Sequence, residues 1–310
     1  MSAEEIQTVR LVLSNYCARG CSFCSSTNFL KESSGEICKT YRITPEATLN
    51  VLKNIYHTHP GVKTIFFHDD DFLADRKWTV DTCKLIQTSK DQGHIPIDWK
   101  FMAQGSVKNV PYLSRHLART GFRLVGLGVE SFSPRVLKEF HKKQSIKEVE
   151  SAVKALLEVE VHPYINLILS SPDSRFEDLK LTILNSIKFL HQGASIATSL
   201  YTIPFPGASI VEKAKEEGLV TYREHPIIGT AMRIPLAHKI LPRDLNLRKL
   251  LDKTEIKLPL NLARFSVEKR FRSSTGPVML YTILQEAHQM GLDDCEEEIK
   301  EMESLLCPTD

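Results

Sequence analysis

The sequence predicts an α/β fold in which helices cover a parallel β-sheet. Three observations lead to this expectation. Short β-branched or apolar segments alternate with longer segments of helical periodicity, and six such units fit into about 200 residues. Polar or cysteine residues follow the ends of most predicted strands. Because successive right-handed crossovers curl a parallel sheet, we expect an open or closed α/β barrel with its site beyond the C-terminal strand ends.

The six predicted strands are spread evenly along the first two thirds of the chain. They cover residues 8–14, 62–68, 98–103, 123–129, 162–169 and 196–202. The predicted helices lie between them, over residues 45–57, 76–92, 110–120, 145–160 and 176–192. Thr44 and Pro45 form a typical helix start, whereas Gly93 and Gly121 predict the ends of two helices.

The last third of the chain has a different pattern. The alternation stops near residue 218, so we expect a core barrel over residues 1–218 and a mostly helical C-terminal extension over residues 219–310. Residues 233–272 contain eleven Lys or Arg and four acids, whereas residues 286–310 contain nine acids and one Lys. One interpretation is that the two segments are solvent-exposed helix faces whose charges neutralise each other. The other is that the basic segment covers an anionic substrate.

The composition is that of a soluble globular protein, with 42% apolar and 25% charged residues. A net charge of +2 supplies no global field for nucleic acid or membrane, so such contacts would need a local patch. No segment approaches the roughly 18 apolar residues of a membrane span. The acidic N-terminal segment lacks the apolar core of a signal peptide. We therefore expect a cytoplasmic protein without membrane contacts.

Three of the seven cysteines form a compact motif, C-x₃-C-x₂-C, on the loop after the first predicted strand. The odd total argues against a disulfide framework. Thiolates as close as those of Cys17, Cys21 and Cys24 suit a soft metal or an iron–sulfur cluster. Either Cys38 completes the ligand set, or the fourth position is open for a reacting molecule. A structural zinc site with Cys38 and chance clustering of buried thiols are the alternatives.

With the aromatic Phe23 before its last cysteine, this motif resembles the signature of the radical S-adenosylmethionine (SAM) superfamily, closest to its cobalamin-type and methylthiotransferase-like branch. The resemblance covers about residues 8–220. It implies a partial (β/α)₆ barrel in which Cys17, Cys21 and Cys24 hold a 4Fe–4S cluster. SAM would chelate the fourth iron, and one electron would release a 5′-deoxyadenosyl radical that abstracts hydrogen from the substrate.

The resemblance also implies SAM contacts at the ends of the other strands. The acidic segment 68–72 replaces a Gly-Gly-Glu-type segment, so Asp69 or Asp70 would meet the methionyl amine. Glu130 ends a Gly-x-Glu-Ser-like segment that faces the ribose and methionyl parts. The remaining cofactor-binding candidates are Phe23 in the cysteine motif and the residues that end the third, fifth and sixth strands: Gln104, Ser170 and Tyr201. A solvated Asp turn and a plain tight turn after Tyr201 are the structural alternatives.

We expect an enzyme that uses this radical chemistry on a small-molecule or natural-product substrate, with flavodoxin or ferredoxin as the electron donor. Only about seven residues precede the first predicted strand, so we expect the chain to lack the cobalamin-binding domain of the cobalamin-type enzymes. Radical-based RNA modification (methylthio- or methyltransferase-like) is an alternative, with residues 233–272 contacting phosphates. The second alternative is a non-catalytic iron–sulfur protein.

Overall fold

The structure, a computed structural model, describes residues 4–15, 17–26, 41–221, 238–267 and 275–307. Its main feature is a six-stranded sheet in which the strands lie in chain order. The strands are β1 (Thr8–Leu11), β2 (Thr64–Phe67), β3 (Lys100–Gly105), β4 (Phe122–Glu130), β5 (His162–Ile168) and β6 (Ser195–Ser199). The pairs β1–β2, β2–β3 and β3–β4 are parallel. The predicted α/β fold with a parallel sheet is therefore confirmed.

Helices connect the strands and form most of the described C-terminal third. They are α1 (Pro45–Thr58), α2 (Arg76–Asp91), α3 (Val110–Thr120), α4 (Pro134–Glu139), α5 (Ile146–Leu157), α6 (Phe176–His191), α7 (Ser209–Glu216), α8 (Leu245–Val267), α9 (Thr275–Gln289) and α10 (Glu296–Leu306). A 3₁₀ turn covers Val107–Asn109, and β7 (Val220–Thr221) pairs antiparallel with β8 (Lys239–Ile240). None of the described helices is long and apolar enough to cross a membrane.

Local chemistry sets the helix ends. The Thr44 hydroxyl accepts a hydrogen bond from the Ala47 amide at the start of α1, and Ser145 and Glu148 form a capping box at the start of α5. Gly121 ends α3 with a φ of 102°, a conformation that side chains disfavour. These ends agree with the sequence prediction.

Several strands begin or end two or three residues away from their predicted limits. Strand β1 stops at Leu11, because the Leu13 amide donates to the Asp69 carboxylate instead of continuing the ladder. Strand β3 starts at Lys100, two residues later than predicted, and β6 ends at Ser199. Strand β3 also extends to Gly105, so Gln104 lies within the ladder, whereas Ser14 and Tyr201 lie beyond the ends of β1 and β6.

The chain divides into two compact units. The first contains Met1–Gly20, Ser26–Val129 and Gln144–Ile165, and the second contains Cys21–Ser25, Glu130–Lys143 and Asn166–Asp310. The predicted boundary between residues 218 and 219 stays a prediction.

Each unit has its own apolar core. In the first, four buried aromatic rings pack with centroids 4.8 to 5.8 Å apart: Phe67, Phe72, Phe101 and Phe122. In the second, a cluster around Phe140 includes Val136, Ile210 and Ile240. In the same unit a Cβ at Gly276 would lie 2.1 Å from the Ile196 carbonyl oxygen, so only glycine lets α9 approach β6 this closely.

Candidate functional site

The three cysteines of the motif are half-buried thiols that follow β1. Cys17 belongs to the first unit, and its amide donates to the Ser26 hydroxyl at 3.0 Å. Cys21 and Cys24 belong to the second unit, where the Cys24 amide donates to the Cys21 carbonyl at 3.1 Å and closes a tight turn. Burial raises the pKa of the Cys17 thiol, and the nearby Asp71 carboxylate adds to the effect.

The chemistry of these donors fits an iron–sulfur cluster, because closely spaced thiols on loops are its usual protein ligands. Among the described residues, no three or more His, Cys, Asp or Glu side chains form a group that could hold a metal ion. Ligation by Cys17, Cys21 and Cys24 therefore stays a prediction drawn from their spacing. Cys38, the alternative fourth ligand, lies outside the described residues.

Two other cysteines have the character of core residues. Cys83 is 2% exposed, and burial raises the pKa of its thiol to about 12. Cys295 is fully buried, and burial raises its pKa to about 11. Both thiols are more deeply buried than the half-buried cysteines of the motif, so neither environment favours a metal ligand.

Ser22, between the second and third cysteines, fixes the turn within the second unit. Its amide donates to the Phe140 carbonyl at 3.1 Å, and its hydroxyl donates to the Glu139 carbonyl at 2.7 Å. Its own carbonyl accepts from the Ile210 amide at 3.0 Å. The Phe23 ring lies 4.8 Å from the Phe140 ring. The motif aromatic therefore anchors the turn to the core, and a contact between Phe23 and a cofactor stays a prediction.

Arg19, between the first two cysteines, is clamped by Asp71 in the first unit. Its Nε donates to Asp71 Oδ2 at 2.5 Å, and its Nη2 donates to the Ser106 hydroxyl. The Ser106 amide in turn donates to Asp71 Oδ1 at 3.1 Å. A Cβ at Gly105 would lie 2.7 Å from this same oxygen, so glycine leaves the room that the carboxylate needs. We assigned no role to Arg19 from the sequence, although an arginine inside the cysteine motif was a visible signal.

The two acidic residues predicted to meet the methionyl amine differ in their surroundings. Asp69 is fully buried, and its Oδ1 accepts from the Leu13 amide at 3.1 Å and from the Ser14 hydroxyl at 2.5 Å. Its Oδ2 is buried without a hydrogen-bond partner among the described residues. Asp70 is exposed and accepts from the Ser26 hydroxyl at 2.5 Å. An orphaned carboxylate oxygen is costly, so Asp69 is the better match for an ammonium group.

Glu130 ends β4 in an unusual conformation. Its φ is +67°, in the left-handed region that residues other than glycine rarely adopt. Its Oε1 accepts from Lys142 Nζ at 2.8 Å, and both side chains are only about a tenth exposed. A buried acid in strained backbone is typical of a functional position. Sequence reasoning identified Glu130 but missed its partner Lys142.

The other three cofactor candidates lie at strand ends as predicted. Gln104 is half-buried within β3. The buried Ser170 hydroxyl donates to the Leu200 carbonyl at 2.8 Å. The Tyr201 hydroxyl donates to Asp252 Oδ1 at 3.1 Å, and burial followed by the Asp252 charge raises the pKa of Tyr201. The chain's own groups thus engage Ser170 and Tyr201, and a cofactor role for all three stays a prediction.

Comparison with solved structures confirms the partial barrel with C-terminal helices. TsrM from Kitasatospora setae, a radical SAM methyltransferase solved with cobalamin and a [4Fe-4S] cluster, matches with a TM-score of 0.64 and 12% identity over 96% of this chain and 60% of its own. The cobalamin-dependent SAM radical enzyme OxsB, solved with aqua-cobalamin and SAM, matches with a TM-score of 0.68 and 13% identity over 96% and 49%. At this identity the likeness concerns the fold.

Sequence comparison identifies the family. A curated relative, the "Uncharacterized methyltransferase PH0819" of Pyrococcus horikoshii, is 27% identical over 230 residues, covering 72% of this chain and 46% of the relative. The chain thus spans about half the length of the curated relative it matches. Residues 11–183 match the profile of the Radical SAM superfamily, which is more than half of the chain. The chain therefore belongs to the radical SAM superfamily of enzymes, whose cofactors are a 4Fe–4S cluster and SAM.

Proposed function

We propose that this enzyme cleaves SAM reductively at a 4Fe–4S cluster held by Cys17, Cys21 and Cys24, and abstracts hydrogen from a small-molecule or natural-product substrate. When bound and reduced, the cluster would supply one electron to the SAM sulfonium, whose C–S bond would break to give methionine and the 5′-deoxyadenosyl radical as the hydrogen-abstracting species. The observation that carries the proposal is the anchored turn of Cys21 and Cys24, which Ser22 ties to both α4 and α7.

In this proposal, residues of the chain bind SAM, orient it and hold the cysteine motif in place. Asp69 Oδ2, buried and without a partner among the described residues, would accept from an N–H of the methionyl amine. Glu130, held by Lys142, would accept from the ribose hydroxyls. Arg19 and Asp71 fix the backbone between the first two cysteines.

The comparisons favour a second candidate, methyl transfer. The curated relative is named a methyltransferase, and TsrM is a radical SAM methyltransferase solved with a tryptophan substrate. The near-zero net charge supports a small molecule over RNA as the substrate. Residues 233–237 and 268–272 of the basic segment, which the RNA alternative invoked, lie outside the described residues. A flavodoxin or ferredoxin donor and a cytoplasmic location remain part of the proposal.

The test is anaerobic reconstitution followed by product analysis. We expect the wild-type protein to take up iron and sulfide and to release 5′-deoxyadenosine from SAM when dithionite is the reductant. Cys21→Ala should lose most of its iron and sulfide, because one of three ligands is removed. Cys307→Ala, which removes a half-buried thiol outside the motif, is the matched control and should load normally.

Three outcomes separate the candidates. Equal loss of iron in Cys21→Ala and Cys38→Ala would indicate a site with four cysteine ligands. Full cluster loading without SAM cleavage under strong reductant would contradict the catalytic proposal. A methylated product without 5′-deoxyadenosine would favour methyl transfer over hydrogen abstraction.

A further inference from the structure

The end of α4 carries cations that the function described above does not use. Lys138, His141 and Lys143 are exposed, whereas Lys142 between them pairs with Glu130. Lys213 on α7 is also exposed, and it lines the same pocket as His141. We call Lys138, Lys143 and Lys213 the basic surface. Within the described part of the chain, none of its three lysines has a carboxylate in ion-pair distance.

The backbone under the basic surface has a defined shape. The His141 amide donates to the Lys138 carbonyl at 3.1 Å, and the Lys142 amide donates to the Leu137 carbonyl at 2.8 Å. These two bonds form a Schellman motif, with His141 in the left-handed conformation at a φ of +52°. The loop is therefore a closed helix end, which fixes the backbone positions from which Lys138 and Lys143 extend.

This helix end contacts the cysteine turn directly. The carbonyls of Glu139 and Phe140 accept the two hydrogen bonds from Ser22, and the Phe140 ring packs on Phe23. On its other side, Ser22 accepts from Ile210 of α7, the helix that carries Lys213. Both elements of the basic surface therefore touch the turn that holds two of the three predicted cluster ligands.

A pocket of about 400 Å³ opens beside the turn, within the second unit. The two acidic side chains that line it, Glu139 and Asp173, already have partners in the chain. Glu139 accepts from the Ser171 hydroxyl and the Asp173 amide, and Asp173 pairs with Arg243. Lys213 at this pocket has no ion-pair partner among the described residues, and with Lys138 and Lys143 on the neighbouring helix end it supplies the positive charge of this surface.

From this arrangement we infer that the basic surface docks a small acidic one-electron carrier protein, which reduces the cluster. The inference rests on the proposed function, because it is the cluster that requires an electron. The carrier loses one electron and the cluster passes from the 2+ to the 1+ state, with no group transferred. Electron tunnelling weakens steeply with distance, so a carrier must dock close to the cluster ligands. An acidic surface on the carrier complements the lysines and speeds its association.

The experiment measures cluster reduction in the reconstituted holoenzyme without SAM. Flavodoxin in its hydroquinone state is mixed with the enzyme at low ionic strength, and the loss of cluster absorbance is followed by stopped flow. In the triple variant Lys138→Glu, Lys143→Glu, Lys213→Glu, we expect the second-order rate constant to fall about tenfold or more. The corresponding triple Gln variant should show a smaller decrease. Reduction by dithionite should be unchanged in both, which also shows that the cluster is intact.

The matched control reverses the same number of charges on exposed cations of α2 and α3: Lys84, Arg115 and Arg119. We expect its rate constant to remain within about twofold of the wild type, since electrostatic steering depends on local potential. The difference between the two triple variants should vanish near 1 M salt, where the Debye length is about 3 Å.

Equal rate losses in both triple variants, or no loss in either, would overturn the inference. So would a loss of RNA oligonucleotide binding in the basic-surface variant while its reduction rate stays at the wild-type value, because the surface would then serve nucleic acid. If reduction depends on the basic surface but the dithionite-reduced enzyme never cleaves SAM, the docking surface stands and the proposed function fails.

Discussion

The carboxylates that follow β2 and the one that ends β4 are held in contrasting ways. After β2, Asp71 accepts from both the Arg19 guanidinium and the Ser106 amide, and Asp69 accepts from another backbone amide and a hydroxyl. At the end of β4, Glu130 has one described hydrogen-bond donor, Lys142 Nζ. After β2, several donors hydrogen-bond to the carboxylates, whereas at the end of β4 the carboxylate depends on a single ion pair.

The backbone makes the contrast sharper. Glu130 has a φ of +67°, whereas neither Asp69 nor Asp71 has a positive φ. A residue in the left-handed region costs of order 1 kcal/mol or more and persists only when its surroundings hold it there. We therefore expect the carboxylates after β2 to keep their positions when one donor is lost. We expect the conformation of Glu130 to depend on its partner Lys142.

The largest effect is expected for Lys142→Met, which leaves Glu130 buried without its cation. The free energy of unfolding should fall by about 3 kcal/mol, the usual cost of removing one partner of a buried ion pair. Urea denaturation measures this directly. Adding Glu130→Gln should recover much of the loss, because an amide needs no counter-charge.

Lys154→Met is the control for this variant. Lys154 pairs with Glu158 one helical turn away, but their side chains are 77% and 62% exposed. Loss of such a pair should cost no more than about 0.5 kcal/mol. If Lys142→Met were equally mild, Glu130 would be solvated and the contrast between the two strand ends would disappear.

For Asp71→Asn, we expect the free energy of unfolding to fall by about 2 kcal/mol. The charge-assisted hydrogen bond from Arg19 is lost, whereas the hydrogen bonds to Asp69 remain. Iron content after reconstitution should also fall, since Arg19 would no longer hold the backbone between Cys17 and Cys21. Asp81→Asn, which breaks the exposed pair with Lys77, is the matched control and should change neither quantity. Unchanged iron content in Asp71→Asn would show that the Arg19 clamp has no part in cluster binding.

The smallest effect is expected for Glu139→Gln, and it depends on pH. Burial, chiefly, raises the pKa of Glu139 from 4.5 to about 7, so the folded state holds this proton more tightly than the unfolded state. The stability that the proton contributes is complete below pH 4.5 and is lost as the pH rises through 7. Relative to the wild type, Glu139→Gln should therefore gain about 1 kcal/mol between pH 5 and pH 8, after solvent screening. Parallel stability profiles of the two proteins in urea would refute this assignment.

Features encoded by neighbouring residues were predictable from the sequence. The capping box of Ser145 and Glu148 and the terminal Gly121 fix helix ends through contacts a few residues apart. The cysteine spacing and Glu130 at the end of its strand were also visible in this way. Six alternating units were enough to predict the parallel sheet.

Features that depend on distant residues were not predictable. Strand β1 ends early because the Leu13 amide meets a carboxylate 56 positions away. The partners of Glu130 and Arg19 lie 12 and 52 residues from them, and no local pattern links either pair. The sequence could therefore nominate site residues, but the electrostatic partners that hold them became visible only in the folded chain.

The hydrogen bonds that fix Ser22 affect how a cluster could be inserted. Three backbone-linked bonds, to Glu139, Phe140 and Ile210, come from the chain itself and involve no ligand. A scaffold protein that delivers an iron–sulfur cluster would thus meet Cys21 and Cys24 on a turn whose position is already set by the polypeptide. The turn of Cys21 and Cys24 would thus be in place before a cluster arrives, because its hydrogen bonds come from the second unit itself.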